Sequence, residues 1–241
     1  MRRLLAALKT SLSTLGRLAP ATALPALSAL LFLLAFPEPG LRWLAWVCLV
    51  PLALTVHRNT PPTPQKPTAS IRGSLIQRLR PYAHLALITF LAFLPAYLLL
   101  QRWMIPVTLG GYLGLSLYLT VWTTLPVLTL RLLYARDRAP FTLLLPLVWT
   151  TFDFLREQGP FGGYAWFFLA HTQAATSPDH GPTFLAHPAA LFGQNTITFL
   201  LATANGLLTD LLLKTKDAWR NVRSSGSSGC TVSRRAGSTE R

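Results

Sequence analysis

Six apolar runs recur along this chain, at Leu18–Phe36, Leu41–Val56, Tyr82–Leu100, Ile105–Leu133, Phe141–Leu155 and Ala189–Leu213, and none offers water a continuous polar face. Runs of this length and character are what a helix needs to cross a hydrocarbon layer. Only 12% of the residues are charged while 51% are hydrophobic. A soluble domain of this size would still need a polar exterior, and this chain has too few polar residues to build one. The pattern predicts an all-α, polytopic transmembrane bundle of about six spans. It divides the chain into a basic N-terminus (1–17), the bundle (18–215) and a Ser/Gly/Arg-rich tail (216–241) whose composition predicts disorder.

The breaks between the runs refine that division. Arg2, Arg3, Lys9 and Arg17 resemble the basic region of a signal peptide, but the run after them is too long for a signal core and carries no small-x-small cleavage site, so it reads as a first span. Pro37-Glu38-Pro39-Gly40 ends it sharply and predicts a tight hairpin into the second run. Residues 57–80 hold Pro61, Pro62, Pro64 and Pro67 among cations, the composition of a flexible loop. Gly110, Gly111 and Gly114 in the fourth run suggest a close helix contact.

Charge distribution gives an independent check on the span count. The formal net charge is +14, which raises nucleic acid as a partner, yet the cations sit in short clusters between apolar runs instead of along one basic face. With six spans, only Arg42, Arg102 and Arg156 of the 22 Lys and Arg fall on the side opposite the termini. That bias predicts both termini in the cytoplasm and no nucleic-acid partner. Cys48 reads as a small buried hydrophobe and Cys230 lies in the polar tail, so neither a disulfide nor a metal cluster is expected.

Ionisable groups in or beside spans are costly, which singles out Asp153, Arg156, Glu157 and Asp210. Asp153 and Arg156 are spaced i, i+3 and share a helix face. They suit either an interfacial ion pair that anchors the helix end or a functional polar pair. Gly162 to Gln173 joins a flexible lead-in containing Gly163 to aromatics that favour the headgroup level, among them Trp166, and reads as an interfacial or re-entrant segment. His171 and Gln173 either line a polar cavity there or are merely solvated. His180 and His187 have no metal-ligand spacing. No nucleophile with an adjacent base and no phosphate loop is visible, so no catalytic, cofactor or metal residue is assigned.

Taken in order, these motifs resemble the membrane region of apolipoprotein N-acyltransferase, the bacterial enzyme that adds the third acyl chain to lipoproteins. The family's Ala-Phe-x-Pro-type break resembles Ala35-Phe36-Pro37-Glu38-Pro39-Gly40. Its Pro, Trp, Glu, Leu-Arg, then Gly-x-Pro-Trp and Leu-Gly-x-Ser-Gln pattern resembles Pro146, Trp149, Asp153, Leu155-Arg156, then Gly163-Tyr164-Ala165-Trp166 and Leu169-Ala170-His171-Thr172-Gln173. A later Val-Asn-Ala-Leu-Leu is echoed by Ala204-Asn205-Gly206-Leu207-Leu208. The departures are Asp153 for Glu, Ala165 for Pro and Thr172 for Ser; the first and last are chemically mild, and the second removes a turn constraint.

The resemblance implies membrane phospholipid and lipoprotein as partners and a bacterial plasma-membrane location. It also implies that the family's Glu-Lys-Cys triad belongs to a nitrilase-like domain, which is expected to be missing from this chain or supplied as a separate catalytic subunit. On that expectation the chain is inactive alone, and Cys230 inherits no role. The competing reading is a non-enzymatic membrane protein or small transporter, which predicts paired polar groups deep in several spans and an internal repeat.

Overall fold

The computed structural model describes residues 21–36, 40–60, 71–159, 163–173 and 184–228. Among them the chain forms helices and no strands, as the runs predict. Helix α1 (Ala21–Ala35) ends at the predicted hairpin, which is closed by hydrogen bonds from Gly40 N to Phe36 O (2.9 Å) and from Leu41 N to Leu34 O (3.2 Å). A 3-10 helix (Arg42–Trp46) and α2 (Val50–Arg58) follow. Then come α3 (Ile71–Leu100), α4 (Leu109–Asp137), α5 (Phe141–Glu157), the short α6 (Ala189–Phe192) and α7 (Gln194–Ser228), with further 3-10 turns at Arg102–Met104, Leu169–Gln173 and Phe184–Ala186.

The bundle is built from two helix pairs, α5 along α7 and α3 along α4, joined where α4 meets α5. Helix α1 packs on α3 through Phe32, whose ring lies 6.0 Å from Phe93 and 6.1 Å from Tyr97, and the Ser28 hydroxyl donates to the Cys48 carbonyl. Helices α5 and α7 are antiparallel. Asp210, towards the end of the apolar part of α7, accepts from Phe141 N (3.0 Å) and Thr142 N (2.9 Å) at the start of α5, while Asn195 at the other end of α7 donates to Glu157 (3.1 Å). An aspartate thus caps the first turn of a neighbouring helix, satisfying backbone donors that α5 cannot satisfy itself. Gly206 makes this approach possible, because a Cβ there would stand 2.3 Å from Phe141 O.

Among the described residues, three helices are by length and composition apolar enough to cross a membrane: Gln77–Leu100, Leu109–Asp137 and Gln194–Lys216. Helix α1 has only 15 described residues and α5 has 17. The second run is not one helix at all; it splits at 47–49 between the 3-10 turn and α2. It still runs the length of the bundle, because Gln173 Nε2 donates to Arg42 O (3.1 Å) at one end and Arg138 Nη2 donates to Thr60 O (3.1 Å) at the other. The predicted loop at 57–80 is also shorter than expected. Helix α2 reaches Arg58 and α3 begins at Ile71.

The glycines of α4 make no close contact with another helix. A Cβ on Gly114 meets nothing within 4 Å, and those on Gly110 and Gly111 meet only Thr108, the residue that caps α4 itself, the latter at 2.5 Å. The packed small-residue face of α4 instead carries Ser116, Thr120 and Thr124, whose buried hydroxyls donate to the carbonyls four residues back. This back-bonding lets small polar residues face a helix interior without orphaned groups. Helix α7 continues past Lys216 to Ser228, whereas the tail was expected to begin at 216; residues 229–241, the N-terminal 1–17, Pro37–Pro39 and His180 lie outside the described residues.

Candidate functional site

The two ends of the bundle differ in charge. Arg58, Arg78, Arg80, Arg131, Arg136 and Arg138 lie where α2, α4 and α5 meet α3 and the end of α7's apolar stretch, while Arg42, Arg102 and Arg156 lie at the opposite end. The candidate site is at that cation-poor end, over the last turn of α5.

Gly163 is what folds the chain back onto α5. Its φ is +81°, and a Cβ there would stand 1.9 Å from Glu157 O, so only glycine fits. Tyr164 N then donates to Arg156 O (3.0 Å), and the Tyr164 hydroxyl accepts from Gln101 Nε2 (2.8 Å) at the end of α3. Phe167 follows with φ 59°, a left-handed conformation that is unusual for a bulky side chain and is held here by edge contact with Phe36 at 5.5 Å. Phe168 is buried beneath the Arg156 guanidinium, 4.4 Å from Cζ to the ring centre. The turn 169–173 is pinned to α7 by Ala170 N donating to Thr198 Oγ1 (3.2 Å).

Asp153 and Arg156 are 8% and 3% exposed, and Arg156 Nη2 lies 3.5 Å from Asp153 Oδ1. A tight charge-assisted bond would be about 2.7–2.9 Å. Asp153 Oδ2 and Arg156 Nε have no hydrogen-bond partner. Both side chains face a narrow cleft lined also by Tyr97, Thr123, Trp149 and Phe167, with free space of about 10 Å3, the least that holds one water. An ion pair taken out of water is expensive unless every lone pair and proton is used, and this one leaves two unused. The pair is set inside the bundle end and not on its surface.

A second polar chain lies beside it. His171 Nε2 is 2.7 Å from Gln194 Oε1, an acceptor, so the ring donates there. Gln194 Nε2 and Asn195 Nδ2 both donate to Glu157, at 3.4 and 3.1 Å. The His171 ring stacks on Phe168 with centres 5.4 Å apart. Burial is the main influence on His171 and lowers its pKa, partly countered by the bond to Gln194, so its neutral form is favoured. Gln173 is buried and reaches Arg42 O and Thr172 Oγ1.

Asp153, Arg156, Gly163, His171 and Gln173 are therefore brought together. Trp166 sits on the same loop with 61% of its surface exposed, but Phe168, Leu169 and Ala170 are buried, so the loop packs into the bundle end more than the expected interfacial segment would. Asn205 lies elsewhere. Its Nδ2 donates to Ala45 O and Leu201 O, and its Oδ1 accepts from Leu49 N, all at 2.8 Å; it holds the broken second run against α7. Asp210 likewise belongs to the helix cap. Gln101 and Gln194 were not singled out from the sequence, although a polar residue directly after Leu100 or directly after Gly193 marks a span end where such groups can bond.

No curated protein and no solved structure matches the chain. The stretch that builds the hairpin, the Asp153–Arg156 cleft, the folded-back loop and the Asn205 clamp coincides with the match to one family, the apolipoprotein N-acyltransferase N-terminal domain, over residues 28–207, and the chain belongs to that family.

Proposed function

We propose that this bundle is the membrane-embedded part of an apolipoprotein N-acyltransferase, in the transfer of an acyl chain from phospholipid to the N-terminal cysteine of a lipoprotein. The family match across 28–207 carries this reading. On it, the region holds lipid and acceptor, and a nitrilase-like polypeptide supplies the nucleophile. The cation-rich end faces the cytoplasm of a bacterial cell, with both termini there, which the positive-inside bias supports. The opposite end then meets the outer leaflet, where exposed Trp166 contacts acyl chains near the headgroups and Asp153, Arg156, His171 and Gln173 hold the loop that carries it.

Complementation tests this. The chain is expressed alone and together with a nitrilase-like partner in cells depleted of their own enzyme, and lipoprotein N-acylation is assayed. Acylation only with the partner is the expected result. Acylation by the chain alone would place the nucleophile within it, and no acylation in either case, with both proteins inserted, would sink the reading. With the partner present, Trp166→Ala should weaken lipid crosslinking at this end.

A further inference from the structure

A second polar recess lies at the cation-rich end, far from the Asp153 cleft. It is a pocket of about 460 Å3 lined by Asn59, just beyond the end of α2, and by Gln77, Arg80, Pro81 and His84 along the first turns of α3. That volume is in the range of small-ligand sites. Among the described residues the lining has hydrogen-bond donors and one permanent cation but no carboxylate. Arg80 and His84 form no ion pair among the described residues. Further positive charge stands next to it: Arg138 Nη2 donates to Thr60 O, and Arg131 lies 4.7 Å from the Tyr82 ring and 3.5 Å from Thr60 Oγ1.

Depth identifies the ligand chemistry. Arg78 and Arg80 stand just before the apolar run Tyr82–Leu100, so the recess sits where α3 leaves the hydrocarbon, at the level of lipid headgroups. A guanidinium beside an imidazole and two amides suits a phosphate ester, because the planar guanidinium can give two parallel bonds to phosphate oxygens. From this placement we infer that the pocket between α2 and α3 binds a phosphate ester, with the headgroup of an anionic phospholipid as its source. The site is independent of the acyl-transfer reading and of which leaflet the cation-rich end faces.

Native mass spectrometry of the full chain in detergent tests this, titrating phosphatidylglycerol, phosphatidylcholine and glycerol 3-phosphate separately. Phosphatidylglycerol should bind more tightly than phosphatidylcholine, and Arg80→Gln should weaken it about fivefold, the worth of one basic side chain at an anionic surface. Arg78→Gln, exposed on the same turn but outside the lining, should change little. Glycerol 3-phosphate binding that falls with Arg80→Gln, without a phosphatidylglycerol preference, supports the same pocket with a soluble ester as source. Equal losses in the Arg80 and Arg78 variants would reduce the effect to diffuse surface charge, and no binding of either phosphate would overturn the inference. His84→Gln gives a second reading of the same pocket should Arg80→Gln aggregate.

Discussion

Helix α5 begins and ends beside an aspartate, and the two are treated in opposite ways. At its start, Asp210 accepts two backbone N–H groups and the Thr142 hydroxyl at 2.7–3.0 Å. At its end, Asp153 meets Arg156 at 3.5 Å and one of its oxygens is unpartnered, as is Arg156 Nε. Both oxygens of Asp210 are bonded, whereas Asp153 is buried with one oxygen that has no protein partner. The contrast distinguishes the two ends of α5 without appeal to any motif, and on the proposed function it is the under-bonded end that is used.

Substitutions can break that contrast. The largest loss is expected from Asp153→Ala, which strands Arg156 as a buried, unpaired charge and should cost about 3–5 kcal/mol in detergent unfolding. Replacing both members, Asp153→Leu with Arg156→Met, should leave stability near that of the parent while abolishing partner-dependent acylation. If the double variant keeps activity, the pair only anchors the helix, and the distinction between the two ends disappears. At the other end, Asp210→Ala should cost about 2 kcal/mol through lost capping bonds, and Gly206→Ala about 1–3 kcal/mol by wedging α5 from α7. Neither variant should affect acylation at temperatures where the protein remains folded.

The smallest effect concerns pH. Because the folded state lowers the His171 pKa, the neutral ring is favoured, and its contribution to stability is complete above the ordinary imidazole range. That contribution is lost as pH falls through the lowered value. Protection factors in 169–173, taken relative to the intrinsic exchange rate at each pH, should therefore fall between pH 7.5 and 5.5 and do so less in His171→Gln; an identical fall in both would assign the change to another group.

Much of this was legible in the sequence. Apolar runs and cation sidedness located the helices and both ends, and ionisable residues near spans pointed to Asp153, Arg156 and Asp210. Their roles were not legible, because whether a buried carboxylate is satisfied depends on residues distant in the chain: Asp210 acts on Phe141, and Asn205 on Leu49. Nor did hydrophobicity foresee that the second run would split, since Leu41–Val56 is apolar throughout. The glycines of α4 were misleading for a similar reason. Spacing shows that a close approach is possible, and only packing shows that Gly206, not Gly114, makes one.

The Asn205 clamp has a consequence for how the protein is made. Between the 3-10 turn and α2, the Leu49 amide and Ala45 carbonyl have a side chain from 156 and 160 residues later in the chain as partner. Hydrocarbon offers such groups nothing in exchange. During synthesis, the second segment leaves the ribosome long before α7 exists, so its interruption cannot settle among lipids by itself. A helix made much later completes the second segment, and a chain interrupted before Asn205 would hold its early helices in the membrane with that join still open.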